Sequence, residues 1–218
     1  MKNDYLKFSL TPELCFKMMI ISVFLFNYAV REKFVGILKD VNILFYLAIF
    51  ILIAIKKFKF SKWNMITTLF LLGYSTYINI STSSRINNTI FFIVCTILPL
   101  FVLTIDVSNL IKNKKQFISN IINYYNSCIN ILFIIYIFDL LSGCKVSSSL
   151  ASILTSYPQN WMPSSVIGMR YHFYFAHPLT SSAHVMIYYL LNMIAYSKKI
   201  EIKTNYWVVT IISAFRCV

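Results

Sequence analysis

The chain has 218 residues, 58% of them hydrophobic and 12% charged, and a mean hydropathy of +0.69. Soluble domains carry about 25% charged residues, so the composition excludes an ordinary soluble fold and points to an integral membrane protein. The net charge of +13 does not indicate nucleic acid, because the lysines fill short gaps between apolar runs, where they orient a membrane protein.

No basic stripe interleaved with glycines or exposed aromatics accompanies that charge. The five cysteines, Cys15, Cys95, Cys128, Cys144 and Cys217, are odd in number and scattered. They form no CxxC pair, so neither a disulfide framework nor a zinc site is expected. Heavy use of Ile, Asn, Lys, Phe and Tyr fits an AT-rich bacterial genome.

A bilayer core about 30 Å thick needs roughly 17 to 25 helical residues. Six runs fit in chain order: 13–30, 40–56, 64–80, 89–105, 121–141 and 179–196, with a seventh beginning near residue 205. The first run follows MKNDYLKFSLTPEL and lacks a small-residue cleavage site, so it reads as a retained helix. The expected fold is an all-α integral membrane protein of six to seven spans, a single polytopic domain over 1–218. Its one long loop covers 142–178.

Orientation follows from the basic residues. With the N-terminus inside, twelve lysines fall on the cytoplasmic side: Lys2, Lys7, Lys56, Lys57, Lys59, Lys62, Lys112, Lys114, Lys115, Lys198, Lys199 and Lys203. Six basic residues fall outside: Arg31, Lys33, Lys39, Arg85, Lys145 and Arg170. The imbalance favours a cytoplasmic N-terminus and puts the 142–178 loop outside. Before the fifth span, VSNLIKNKKQFISNII sets Val107, Leu110, Ile111, Phe117, Ile118, Ile121 and Ile122 on one helical face. That pattern predicts an interfacial helix on the inner leaflet, with lysines toward anionic lipid.

Polar groups within a bilayer turn toward the bundle interior. In the sixth span His177, Ser181, His184, Tyr188 and Asn192 recur at helical spacing, with Thr180 on the same side. The fifth span carries Asn123, Asn126, Ser127 and Asn130 toward its inner end and Asp139 toward its outer end. For the asparagines, helix–helix hydrogen bonding is the better reading. Asp139 stands between two roles, a partner of Arg170 or a solvated rim residue.

All three histidines lie in RYHFYFAHPLTSSAHV, residues 170–185. Proline suits a first helical position, so the sixth span is expected to begin at Pro178. A helix N-terminus beside an arginine suits phosphate oxygens, and a neutral imidazole can take a proton from an attacking hydroxyl. The stretch therefore offers a phosphate clamp plus a base. Three histidines without acidic partners at ligand spacing do not make a metal site, and no cofactor is expected.

The same stretch resembles the signature of the O-antigen polymerase and ligase superfamily, especially its capsular and exopolysaccharide repeat-unit polymerases. There a long outer loop ends in R-x-x-x-G-F-x-H-P-N and runs into a membrane helix. Arg170, Phe175, His177 and Pro178 match at the right spacing, while Tyr174 and Leu179 replace the usual glycine and asparagine. The match covers about ten residues, and the remaining likeness is hydropathy.

The family has about ten to fourteen spans, so the resemblance makes this chain look like an N-terminal half or two-thirds, truncated and lacking part of the site. It implies glycosyl transfer between polyprenyl-diphosphate-linked saccharides at the outer face of the bacterial plasma membrane. Arg170 would stabilise the leaving diphosphate and His177 would act as base. His172, His184, Ser181, Tyr188 and Asp139 would contact substrate. Partners would be the lipid-linked glycan, the bilayer and other polysaccharide-export membrane proteins. The rival readings are a transporter or flippase of the same pathway, a membrane acyltransferase and a non-catalytic membrane subunit.

Overall fold

A computed structural model describes residues 11–36, 42–54, 59–82, 105–106, 111–156 and 178–203. Seven helices lie among the described residues: α1 Pro12–Leu25, α2 Tyr28–Phe34, α3 Ile43–Ala54, α4 Lys62–Thr82, α5 Lys114–Ser142, α6 Lys145–Leu154 and α7 Pro178–Ser197. Two short strands, β1 Lys59–Phe60 and β2 Ile105–Asp106, pair antiparallel with Lys59 opposite Asp106 and Phe60 opposite Ile105. The described chain is thus mostly helical.

The packing divides into two compact units. One holds residues 1–19 and 43–114, and the other holds 20–42 and 115–218. In the first, Cys15 and Met19 of α1 pack against Ala48, Ile49 and Leu52 of α3. Lys17, a charge inside an expected span, pairs with Glu13 one turn earlier at 2.7 Å, which offsets part of its cost in apolar surroundings. In the second, Phe24, Val30, Tyr125, Ile129, Leu132, Cys144, Ala151 and Tyr188 form the core.

The expected first span, 13–30, is broken. α1 and α2 meet at 80°, and Asn27 sits at the corner with its side-chain oxygen accepting the Val30 N–H at 3.3 Å. Arg31 donates a guanidinium N–H to the Phe26 carbonyl at 3.0 Å. Each side chain satisfies a backbone group freed by the break, which is how a cap competes with a continuous helix.

The expected interfacial helix over 107–122 does not form as a separate element. Phe117, Ile118, Ile121 and Ile122 belong to α5, which runs unbroken from Lys114 to Ser142. No glycine or proline lies between those two ends, so nothing local stops the helix until Gly143, whose φ is +65°. Residues 107–110 lie outside the described residues.

The other spans fare differently. α3 covers 12 residues, about 18 Å of helix, inside the run 40–56, whose residues 40, 41, 55 and 56 lie outside the described residues. α4 and α7 agree with the runs 64–80 and 179–196, and α7 starts at Pro178 as expected. Nearly all of 89–105, and the run beginning near 205, lie outside the described residues. Among the described residues, α5 alone is long and apolar enough to cross a membrane, and the bent α1–α2 pair passes the same test as one broken span. The 142–178 loop is not structureless, because α6 occupies its first part; residues 157–177 lie outside the described residues.

Several helices bury polar groups and expose apolar ones. On α4, Thr68 is buried and Leu72 and Thr76 are half-buried at four-residue spacing. Around the same helix Trp63, Ile66, Phe70, Tyr74 and Tyr77 are exposed, Trp63 to 80%. α7 buries His184, Tyr188, Asn192 and Ala195 while exposing Met186, Leu190, Met193 and Ile194. In water this arrangement leaves a large apolar surface uncovered.

Candidate functional site

The expected site residues divide by position. Arg170, His172 and His177 lie outside the described residues, and so does the side chain of Ser181. His184, Tyr188 and Asp139 are described, and each is buried.

α5 and α7 run antiparallel: Tyr125 and Asn126 meet His184 and Asn192, while the earlier Ser119, Ile122 and Asn123 meet the later Ala195, Ile200, Glu201 and Lys203. The Tyr125 hydroxyl lies 3.2 Å from His184 Nδ1 and donates to the His184 carbonyl at 3.1 Å. With its single proton given to the carbonyl, the phenol oxygen accepts from a protonated Nδ1. Phe24 stacks on the imidazole at a centroid distance of 4.4 Å and meets the Tyr125 ring edge-on at 5.2 Å. His184 is 4% exposed, so the three rings form a packed node.

Asn126, next to Tyr125 on α5, and Asn192, two turns beyond His184 on α7, exchange amide hydrogen bonds of 3.0 and 3.1 Å. Asn192 also donates to the Tyr188 carbonyl at 2.7 Å. The reading of Asn126 as helix–helix glue therefore matches its contacts. Asn123 accepts the Lys203 N–H at 2.8 Å through its side chain. Ser127 instead faces outward and bonds the Asn123 carbonyl of its own helix.

Asp139 is not a solvated rim residue. It is fully buried, and its carboxylate accepts the Val146 N–H at 2.9 Å and the Ser147 N–H at 3.0 Å. The preceding turn explains the geometry. Gly143 and Cys144 both take left-handed backbone, and the Cys144 N–H closes onto the Asp139 carbonyl at 2.9 Å. Cys144 stands at the N-cap of α6 and its side chain makes no capping bond, so Asp139 supplies the missing acceptor from the last turn of α5.

At the other end of α6, Lys33 of α2 donates its ammonium to the Ser152 and Ile153 carbonyls at 2.7 and 2.6 Å. A carboxylate at the N-terminus and an ammonium at the C-terminus both complement the helix dipole. Among the described residues no group of three or more His, Cys, Asp or Glu side chains could hold a metal ion. Comparison with protein-family models, curated proteins and solved structures finds no match to this chain.

The sequence reading missed Tyr125 and Phe24, the two side chains that engage His184. A signal existed for Tyr125, which continues the α5 face of Ile122, Asn126 and Ile129 at helical spacing. Phe24 carried none, since nothing local tells which ring of a first helix meets a distant imidazole. Chemically, the described candidates on α7 belong to a buried polar seam that joins α7 to α5.

Proposed function

We propose that the chain is a multi-pass protein of the bacterial plasma membrane with its N-terminus inside. We propose further that it polymerises polyprenyl-diphosphate-linked oligosaccharide repeat units at the outer face. The run of Arg170, Phe175, His177 and Pro178 leading into α7 carries the reading. The buried polar and exposed apolar faces of α4 and α7 support the membrane part, because lipid is the solvent that favours that inversion.

In this reading the acceptor hydroxyl attacks the anomeric carbon of the donor saccharide, and polyprenyl diphosphate leaves. Arg170 stabilises the departing diphosphate and His177 takes the hydroxyl proton. His184 and Tyr188, enclosed in the seam, hold α7 in place and do not touch substrate. Asp139 does the same for α6.

The test is Arg170→Ala and His177→Ala in cells whose glycan length depends on this chain. Each variant should resist carbonate extraction from membranes like the parent while glycan gels lose their long chains and keep single repeat units. A normal ladder in both variants would remove the site assignment. Complete loss of surface glycan would indicate the flippase reading instead.

A further inference from the structure

The C-terminal end of α7 and the N-terminal end of α5 are locked together. Ile200 and Ala195 of the α7 end pack on Ile122 of α5. The Ser119 hydroxyl donates to the Glu201 carbonyl, and the Lys203 N–H donates to the Asn123 side chain. The turn itself is closed by Lys199 N–H to the Tyr196 carbonyl at 3.1 Å and Ile200 N–H to the Ala195 carbonyl at 2.9 Å. These contacts bring Lys115, Lys198, Lys199 and Lys203 to one end of the helix pair, all four exposed. Glu201 is the one acidic residue within the 198–203 turn.

Directly beside this basic end, Ile118 of α5 and Met193, Ile194 and Tyr196 of α7 are exposed. A cationic cap that continues into an apolar helix surface matches the anatomy of an anionic phospholipid, with phosphate above and acyl chains below. The tyrosine stands at the junction, where its apolar ring and polar hydroxyl suit a headgroup boundary.

We propose that this end of the α5–α7 pair seats the headgroup phosphate of an anionic phospholipid of the inner leaflet. The seat rests on the membrane reading above and is independent of the polymerase chemistry. Backbone hydrogen bonds fix the lysine-bearing turn, so the ordering that binding requires falls on the lysine side chains and not on the backbone.

The test reconstitutes the full chain in vesicles of equimolar phosphatidylglycerol and phosphatidylcholine, then extracts it gently and quantifies retained lipid by native mass spectrometry. The parent should retain phosphatidylglycerol over phosphatidylcholine by roughly fivefold or more. Replacing Lys115, Lys198, Lys199 and Lys203 together by Gln should abolish the preference, while replacing all four by Arg should keep it. Lys145→Gln, at the start of α6 beyond the opposite end of α5, should leave it unchanged. Equal retention of the two lipids by the parent, or an undiminished preference in the Gln variant, overturns the seat. Release of the parent from membranes by alkaline carbonate would instead overturn the membrane reading itself.

Discussion

Asp139 caps a helix that it does not belong to. Its carboxylate receives the Ser147 N–H on both oxygens, at 3.0 and 3.3 Å, across the tight corner between α5 and α6. Since the corner residue Cys144 makes no side-chain cap, the start of α6 depends on this reach from the preceding helix. Replacing Asp139 by Ala should cost about 1–2 kcal/mol in thermal unfolding in detergent. Asn keeps one acceptor and should cost less. The Val146 and Ser147 amides should exchange faster in both variants, and unchanged exchange in the Ala variant would refute the cap.

The Asn126–Asn192 pair should behave as a coupled unit. Asn126→Leu alone leaves a buried amide short of a partner and should destabilise by about 1–2 kcal/mol. The double variant with Asn192→Leu should be less damaging than the sum of the singles. A double-mutant cycle should give a coupling of roughly 0.6 to 1.7 kcal/mol. Additive effects would mean that the amide bonds do not form.

Lys33 should matter locally and little elsewhere. Removing its ammonium with Lys33→Gln leaves the Ser152 and Ile153 carbonyls without this donor and weakens the last turn of α6. Hydrogen exchange at residues 153–155 should accelerate by roughly two- to fivefold, while exchange in the middle of α5 stays as in the parent. Acceleration throughout α5 would instead mark a global role.

Lys199 occupies left-handed backbone at φ +50°, a conformation in which a Cβ is strained and glycine is not. Its side chain is exposed, so little packing is lost on truncation. Lys199→Gly should stabilise the protein by about 0.5–1 kcal/mol, read from thermal unfolding in detergent. A loss of stability would show that the turn closes in some other way.

Much of the architecture was legible from the chain because it depends on local chemistry. Pro178 starts α7 as its missing N–H allows, and His184, Tyr188 and Asn192 share a buried face because their spacing follows the helical period. The break at Asn27 was also written locally, in an asparagine that suits an N-cap, but the apolar run around it hid the signal. The break expected near residue 121, between an interfacial helix and the fifth span, was misread because a lysine-rich amphipathic stretch looks alike at a lipid surface and at the start of a long helix.

By itself the sequence determined the helical class, the apolar runs and the candidate Arg170 and His177, because residue type and spacing decide these without reference to distant segments. Tertiary structure alone decided that His184 meets Phe24 and Tyr125, that Asn192 pairs with Asn126 and that Asp139 holds the start of α6. In each case one buried polar side chain faces several acceptable partners. The choice among them is made by the approach and register of two packed helices, and by the cost of leaving a polar group unsatisfied.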